Sequence, residues 1–155
     1  MPPRYAQETA VPADRSRAEI ERTLARYGAS KFLYGWEEGR AIIAFEARHR
    51  RIKFELPLPD RQDPAFTHTP HRRTRRSAAQ QEAAYEQAVK QRWRALALII
   101  KAKLEAVETG ITTFESEFLS HTLLPSGETV AQWLAPQLEQ TYARGQMPPL
   151  LPEPP

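Results

Sequence analysis

The sequence contains no cysteine, and its four histidines do not form a known metal-binding motif. The absence of cysteine excludes disulfide bonds, thiolate metal ligands and a cysteine nucleophile. No two histidines are four residues apart, the spacing that places two zinc ligands on one helix face. The chain also lacks a Gly-x-Ser-x-Gly motif and a glycine-rich phosphate-binding loop. We therefore predict no catalytic residue, no cofactor and no metal site.

Long apolar segments are missing as well. The longest uninterrupted apolar run covers residues 95–100, far fewer than the roughly 20 residues that span a bilayer. Residues 1–12 lack the apolar centre of a secretory signal. We predict a cytoplasmic protein without a membrane partner.

The net charge of +3 is unevenly distributed along the chain. Residues 1–77 contain sixteen Lys and Arg against ten Asp and Glu, whereas residues 78–155 contain six against nine. A basic half of this kind favours an anionic partner.

The strongest secondary-structure signal is one long amphipathic helix. Its apolar residues follow each other at intervals of three or four, which places them on a single helix face. Ser77 can cap the start of this helix, and Gly110 can end it in a left-handed conformation. The apolar stripe consists of Tyr85, Val89, Trp93, Leu96, Ile100, Leu104 and Val107.

Three segments before the long helix alternate with a period of two, which is typical of β-strands. They cover residues 31–36, 40–47 and 51–56, and very short connections join them. Short connections predict an antiparallel meander.

The remaining segments predict shorter helices and a loop. Ser16 and Glu19 have capping-box spacing, which predicts a first helix that begins there. Two further helices are expected after Thr112 and Thr129, and Pro136 should kink or split the last one. The expected organisation is a flexible arm at 1–13, one domain at 14–145 with a basic loop at 60–77, and a Pro-rich tail at 146–155.

These elements together predict an α+β fold. An N-terminal helix precedes a three-stranded antiparallel meander, the long helix packs on the sheet, and two further helices follow. One helical layer on one sheet is a common way to bury both apolar surfaces.

Three basic groups and an aromatic strand face favour nucleic-acid binding. Tyr34 and Trp36 alternate on one predicted strand and could stack on unpaired bases if that face were exposed. The alternative is that this aromatic face packs in the core under the long helix. The basic groups are Arg48, Arg50, Arg51 and Lys53 in a hairpin, Arg72, Arg73, Arg75 and Arg76 in the loop, and Lys90, Arg94 and Lys101 on one face of the long helix. We expect them to form a continuous basic surface.

Protein binding is the second interpretation. The acidic C-terminal helices, Trp133 and the Pro-Leu tail offer a surface for another chain. Residues 95–100 are apolar nearly all round the long helix, so a second side of that helix should also be covered. We therefore expect a homo-oligomer.

Three stretches carry a resemblance to a known family. Residues 17–24 (RAEIERTL), 91–96 (QRWRAL) and 147–152 (MPPLLP) resemble a family of small uncharacterised proteins of bacteriophages and prophages, over most of residues 13–152. The resemblance implies a role in phage biology but no site residues. In topology alone, a meander followed by a long helix is similar to the core of phage single-strand annealing proteins, which bind single-stranded DNA as oligomeric rings or filaments.

The sequence thus predicts a phage-type, non-enzymatic protein that binds single-stranded DNA in replication or recombination. The alternative function is a phage-encoded regulator or inhibitor that binds a host defence or replication complex.

Overall fold

Two long helices and a three-stranded sheet form most of the molecule. The computed structural model describes residues 4–147, with side chains from Asp14 onward. In chain order the elements are α1 (Arg4–Arg26), β1 (Lys31–Glu37), β2 (Arg40–Ala47), β3 (Arg50–Pro57), α2 (Pro64–Thr67), α3 (Ala78–Glu108), α4 (Phe114–Glu117), a 3-10 turn (Leu119–His121) and α5 (Val130–Arg144). The predicted α+β fold is confirmed.

The sheet is an antiparallel meander in the order β1-β2-β3. A two-residue turn closes each hairpin, with Glu38 and Gly39 in the first and Arg48 and His49 in the second. Both Arg48 and His49 have positive φ angles, 49° and 63°, as the tight turns that match the strand twist require.

The long helix α3 begins and ends where its sequence predicts. Ser77 accepts a hydrogen bond from the backbone of Gln80, whose side chain accepts one from Ser77 in return. Gly110 follows the helix with a φ of +82°, a conformation that glycine adopts without strain. The predicted stripe faces the sheet, and Trp93 at its centre is 1% exposed. This stripe therefore supplies the helical half of the core.

Helix α1 lies beside α3 on the same face of the sheet and runs in the same direction. Arg17 lies over the ring of Tyr34 at 4.9 Å, and Tyr34 contacts Trp93 at 5.6 Å between ring centroids. Ten residues further along the chain, directly after the end of α1, the Tyr27 hydroxyl donates to Glu105, 3.0 Å away. Residue numbers therefore increase in the same direction along both helices, which makes α1 and α3 parallel.

Two helix boundaries differ from their predictions. Helix α1 begins at Arg4, so Ser16 lies inside it, because the capping-box spacing also fits a helix interior. The backbone of residues 4–13 is thus helical within the predicted arm. Helix α5 runs through Pro136 without a break, since Pro136 is exposed and water can reach the carbonyl that loses its partner.

The C-terminal segment closes the end of the sheet near the second hairpin. Phe118 is fully buried and makes edge-to-face contacts with Phe45 and Phe54. Thr122 bridges to Ile52 at the free edge of β3. Of the predicted tail, residues 148–155 lie outside the described part. Among residues 4–147, the helices lack the combined length and hydrophobicity that crossing a bilayer requires.

Candidate nucleic-acid interface

The arginine turn, defined here as residues 67–76, is an ordered structure within the predicted loop. The backbone nitrogen of Arg76 donates to the carbonyl of Thr67 at 2.7 Å, and that of Thr69 donates to Thr74 at 2.9 Å. Arg73 reverses the chain with a φ of 50°. The short helix α2 enters this turn from Asp63, whose side chain caps it. The turn therefore has a defined backbone conformation.

Arg72, Arg73 and Arg75 are exposed on this turn. Among the described residues, none of these three guanidinium groups has a carboxylate within 4.0 Å. The nearby carboxylates of Asp60 and Asp63 instead accept backbone hydrogen bonds. The arginine turn consequently presents positive charge that ion pairs do not compensate.

Arg76, the fourth arginine predicted in this group, has a different environment. It is half-buried and donates to the carbonyl oxygen of Ala65 at 3.3 Å. This bond ties the end of the arginine turn to α2, so Arg76 holds the turn together.

The second basic group lies at the β2–β3 hairpin. Arg48 stands over the ring of Phe114 at 5.6 Å. Beside it, a shallow depression of about 350 Å³ is lined by His49, Arg50 and Arg51 on one side. Glu46 and the segment after the 3-10 turn, Thr122, Leu123 and Pro125, form the rest of its wall. The depression combines two guanidinium groups with an imidazole.

Lys53 does not join the other residues of the hairpin group. Its amino group lies 3.1 Å from Glu55 on the sheet face opposite the core. The hydrogen bond from Lys53 lowers the pKa of the Glu55 carboxyl. The Lys53 charge is therefore paired within the sheet and less available to a phosphate.

The arginine turn and the hairpin group lie at opposite ends of α3. The turn directly precedes Ser77, whereas Arg48 contacts Phe114, beyond the last residue of the helix. With 31 residues in α3, the separation along its axis is about 46 Å at 1.5 Å per residue. Two of the three basic groups expected to form one surface thus lie at opposite ends of α3. The third group, Lys90, Arg94 and Lys101, is exposed along the helix between them.

The two predicted stacking residues have different environments. Tyr34 is half-buried between Trp93 and Arg17, and burial raises the pKa of its hydroxyl. Because Trp93 and Arg17 both cover its ring, Tyr34 packs against the core, which is the alternative interpretation of the aromatic strand face. Trp36 is 61% exposed at the end of β1.

Trp36 lies level with the middle of α3. Its position in the register is beside Ala41 and Leu56, one residue from Pro57, whose carbonyl accepts a hydrogen bond from Arg92 at 2.7 Å. Arg92 is 15 positions after Ser77 in a helix of 31 residues, so Trp36 and the arginine turn are about 20 Å apart along α3. An exposed indole therefore lies between the arginine turn and the hairpin group.

Sequence reasoning missed part of the hairpin site. His49 stands between two predicted arginines and could have been included on that basis. Phe114 and Thr122 gave no such signal, because they are more than 60 positions away and reach the hairpin only through folding. From Asp14 to Met147, no cluster of three His, Asp or Glu side chains could hold a metal ion.

Comparison with family models, with curated proteins and with solved structures gives no match to this chain. Arguments about its function therefore depend on the geometry described above.

Proposed function

We propose that this protein binds single-stranded DNA, in the phage or prophage setting that its sequence resembles. The observation that carries the proposal is the arginine turn, an ordered turn with three exposed arginines that lack carboxylate partners among the described residues. Guanidinium groups bind phosphate oxygens in a bidentate geometry. An ordered turn also loses less conformational entropy on binding than a disordered loop would.

The exposed Trp36 supports a single strand as the ligand. An indole on the surface can stack on an unpaired base, which a duplex does not offer. The separation of about 20 Å along α3 between Trp36 and the arginine turn suits a single strand of several nucleotides. Its phosphates would contact the turn, and one base would stack on the indole. The exposed arginines of the hairpin group offer a second phosphate contact at the far end.

Fluorescence polarisation with labelled oligonucleotides tests this proposal. Single-stranded and duplex DNA of equal length are titrated at several salt concentrations with the wild-type chain and the triple variant Arg72→Ala, Arg73→Ala, Arg75→Ala. Three lost phosphate contacts should reduce the slope of log K against log salt by about 2 for a single strand. Trp36→Ala should weaken single-strand binding by about tenfold, because stacking contributes roughly 1–3 kcal/mol per base.

A matched control removes the same charge elsewhere. Arg15, Arg22 and Arg26 are exposed on α1, and their triple alanine variant should change the slope much less. If this control and the arginine-turn variant lose affinity equally, the turn is not the phosphate site. If the wild-type chain fails to bind DNA at low salt, the proposed function is wrong.

A second candidate function is regulation of another protein by direct binding. The observation that favours it is α5, which has no buried residue and exposes Trp133, Leu138 and Tyr142 at 46%, 46% and 86%. Leu138 and Tyr142 lie about 40° apart on one face of α5 at 100° per residue, and Trp133 lies on the opposite side. The exposed aromatic and aliphatic face of Leu138 and Tyr142 is typical of protein interfaces. A photo-crosslinking residue at position 142 tests this candidate. It should capture one discrete partner, and Leu138→Ala should abolish that capture.

A further inference from the structure

The outward face of α3 carries a second apolar surface in addition to the buried stripe. Leu98 is 62% exposed and Ile99 is 48% exposed, and Ala95 and Ala102 flank them on the same side. These positions follow the i, i+3, i+4, i+7 spacing of a helix face that packs on another helix. None of the four is buried by the described part of the chain.

One flank of this face carries charges of both signs. Lys90, Arg94 and Lys101 lie on it together with Glu105 and Glu108, and all five are exposed. At 100° per residue they fall within about 60° of one another. Arg94 and Glu105 lie nearest the apolar face, and their midpoint lies half a residue from position 99.

This placement favours a second copy of the same chain as the partner. A two-fold axis perpendicular to α3 turns the second helix end for end, so each residue of a flank lies beside the residue of the second copy that is equally distant from the centre. An antiparallel pair centred near Leu98 and Ile99 places each Arg94 beside Glu105 of the partner subunit, with the two Lys101 side chains between these ion pairs. In a parallel pair the charged flank would instead face the opposite flank of the second copy, so Arg94 would not meet Glu105.

We propose that α3 forms an antiparallel dimer with α3 of a second copy. Leu98 and Ile99 lie at the two-fold axis, and Arg94 faces Glu105 of the partner subunit. The hydroxyl of Tyr27 already donates to Glu105, which holds this carboxylate on the flank where the pair forms. The dimer also covers the side of α3 that residues 95–100 leave apolar.

The dimer does not depend on the proposed function, but it changes which cations can bind DNA. Arg94 pairs with the second copy and leaves the set of phosphate contacts. Each arginine turn stays free, since Ser77 is about 32 Å from the two-fold axis along the helix.

A charge exchange tests the register. Light scattering after nuclease treatment measures the mass of the wild-type chain and of Arg94→Glu, Glu105→Arg and the double variant. We expect a wild-type dimer, weaker dimers for both single variants because like charges then face each other, and recovery in the double variant. The control Arg22→Glu reverses an exposed charge on α1 and should leave the dimer unchanged.

The absence of cysteine allows an independent test. Leu98→Cys places a single thiol near the axis, where it meets its counterpart and should form a disulfide-linked dimer on mild oxidation. Tyr142→Cys, at the more exposed position, should form little disulfide-linked dimer. A monomeric wild-type chain, a dimer unaffected by both single charge reversals, or equal crosslinking at both positions would overturn the proposal. Because these tests contain no DNA, their failure is distinct from failure of the proposed function.

Discussion

Helices α3 and α5 begin alike but differ in their burial. Ser77 with Gln80 and Thr129 with Gln132 form capping boxes in which both hydrogen bonds are present. Helix α3 then buries Trp93 to 1% exposure, whereas Trp133 of α5 stays 46% exposed. Local hydrogen bonds therefore set where a helix begins. How deeply a helix is buried depends instead on the surfaces packed against it, and for α3 these surfaces are the sheet and α1.

The largest expected difference between the two helices comes from their tryptophans. Trp93→Ala should lower the free energy of unfolding by about 3–5 kcal/mol, because it leaves a cavity between α3 and the sheet. Trp133→Ala should change it by no more than about 0.5 kcal/mol, as is usual for surface positions. Urea unfolding followed by circular dichroism measures both. Equal losses would mean that α5 is as well packed as α3.

The capping residues should show a smaller difference. Ser77→Ala and Thr129→Ala each remove a cap that contributes about 1 kcal/mol to its helix. We expect Ser77→Ala to lower the global free energy of unfolding, because α3 is part of the core. Thr129→Ala should mainly speed amide exchange within α5, because that helix can open locally. Hydrogen exchange with mass spectrometry distinguishes the two, and faster exchange throughout α3 in Thr129→Ala would contradict this view.

His121 lies between α3 and α5 in the chain and should make the free energy of unfolding depend on pH. We expect this effect to be smaller than those of the tryptophan and capping variants. It stacks on Phe54 at 4.0 Å between ring centroids. Burial, together with the charge of Lys103, lowers the pKa of its imidazole below the ordinary 6.5. The folded protein therefore keeps His121 neutral at a pH where the unfolded chain binds a proton. The free energy of unfolding should fall as the pH drops below about 6.5 and level off below the folded pKa.

His121→Phe keeps an aromatic ring against Phe54 and removes the titration. Urea unfolding at several pH values above 5 should show a flatter dependence for this variant than for the wild-type chain. An unchanged slope would assign the pH dependence to other groups.

Much of the fold could be predicted because its signals are local. The stripe of α3, its Ser77 cap and Gly110 determined one helix, and the alternation of residues 31–56 determined the strands. The start of α1 could not be predicted in this way, because Ser16 and Glu19 have the same spacing in a helix interior as in a cap. Pro136 was expected to kink or split α5, and the helix is not split because exposure to water reduces the cost of the lost hydrogen bond.

The candidate interface was predictable in composition but not in arrangement. The exposed arginines at positions 72, 73 and 75 are visible as a run in the sequence. That Lys53 pairs with Glu55 and that Arg76 binds Ala65 depends on which faces and turns these residues occupy. Tyr34 and Trp36 share one strand face, yet Trp93 and Arg17 cover the ring of Tyr34, whereas Trp36 remains exposed.

The elements, their order and the uneven charge follow from the amino-acid sequence alone, since periodicity, caps and composition act over a few neighbouring residues. The tertiary structure determines that the arginine turn and the hairpin group lie at opposite ends of α3 and that the exposed Trp36 lies between them. These separations follow from packing two long parallel helices on a sheet, and no local pattern encodes them.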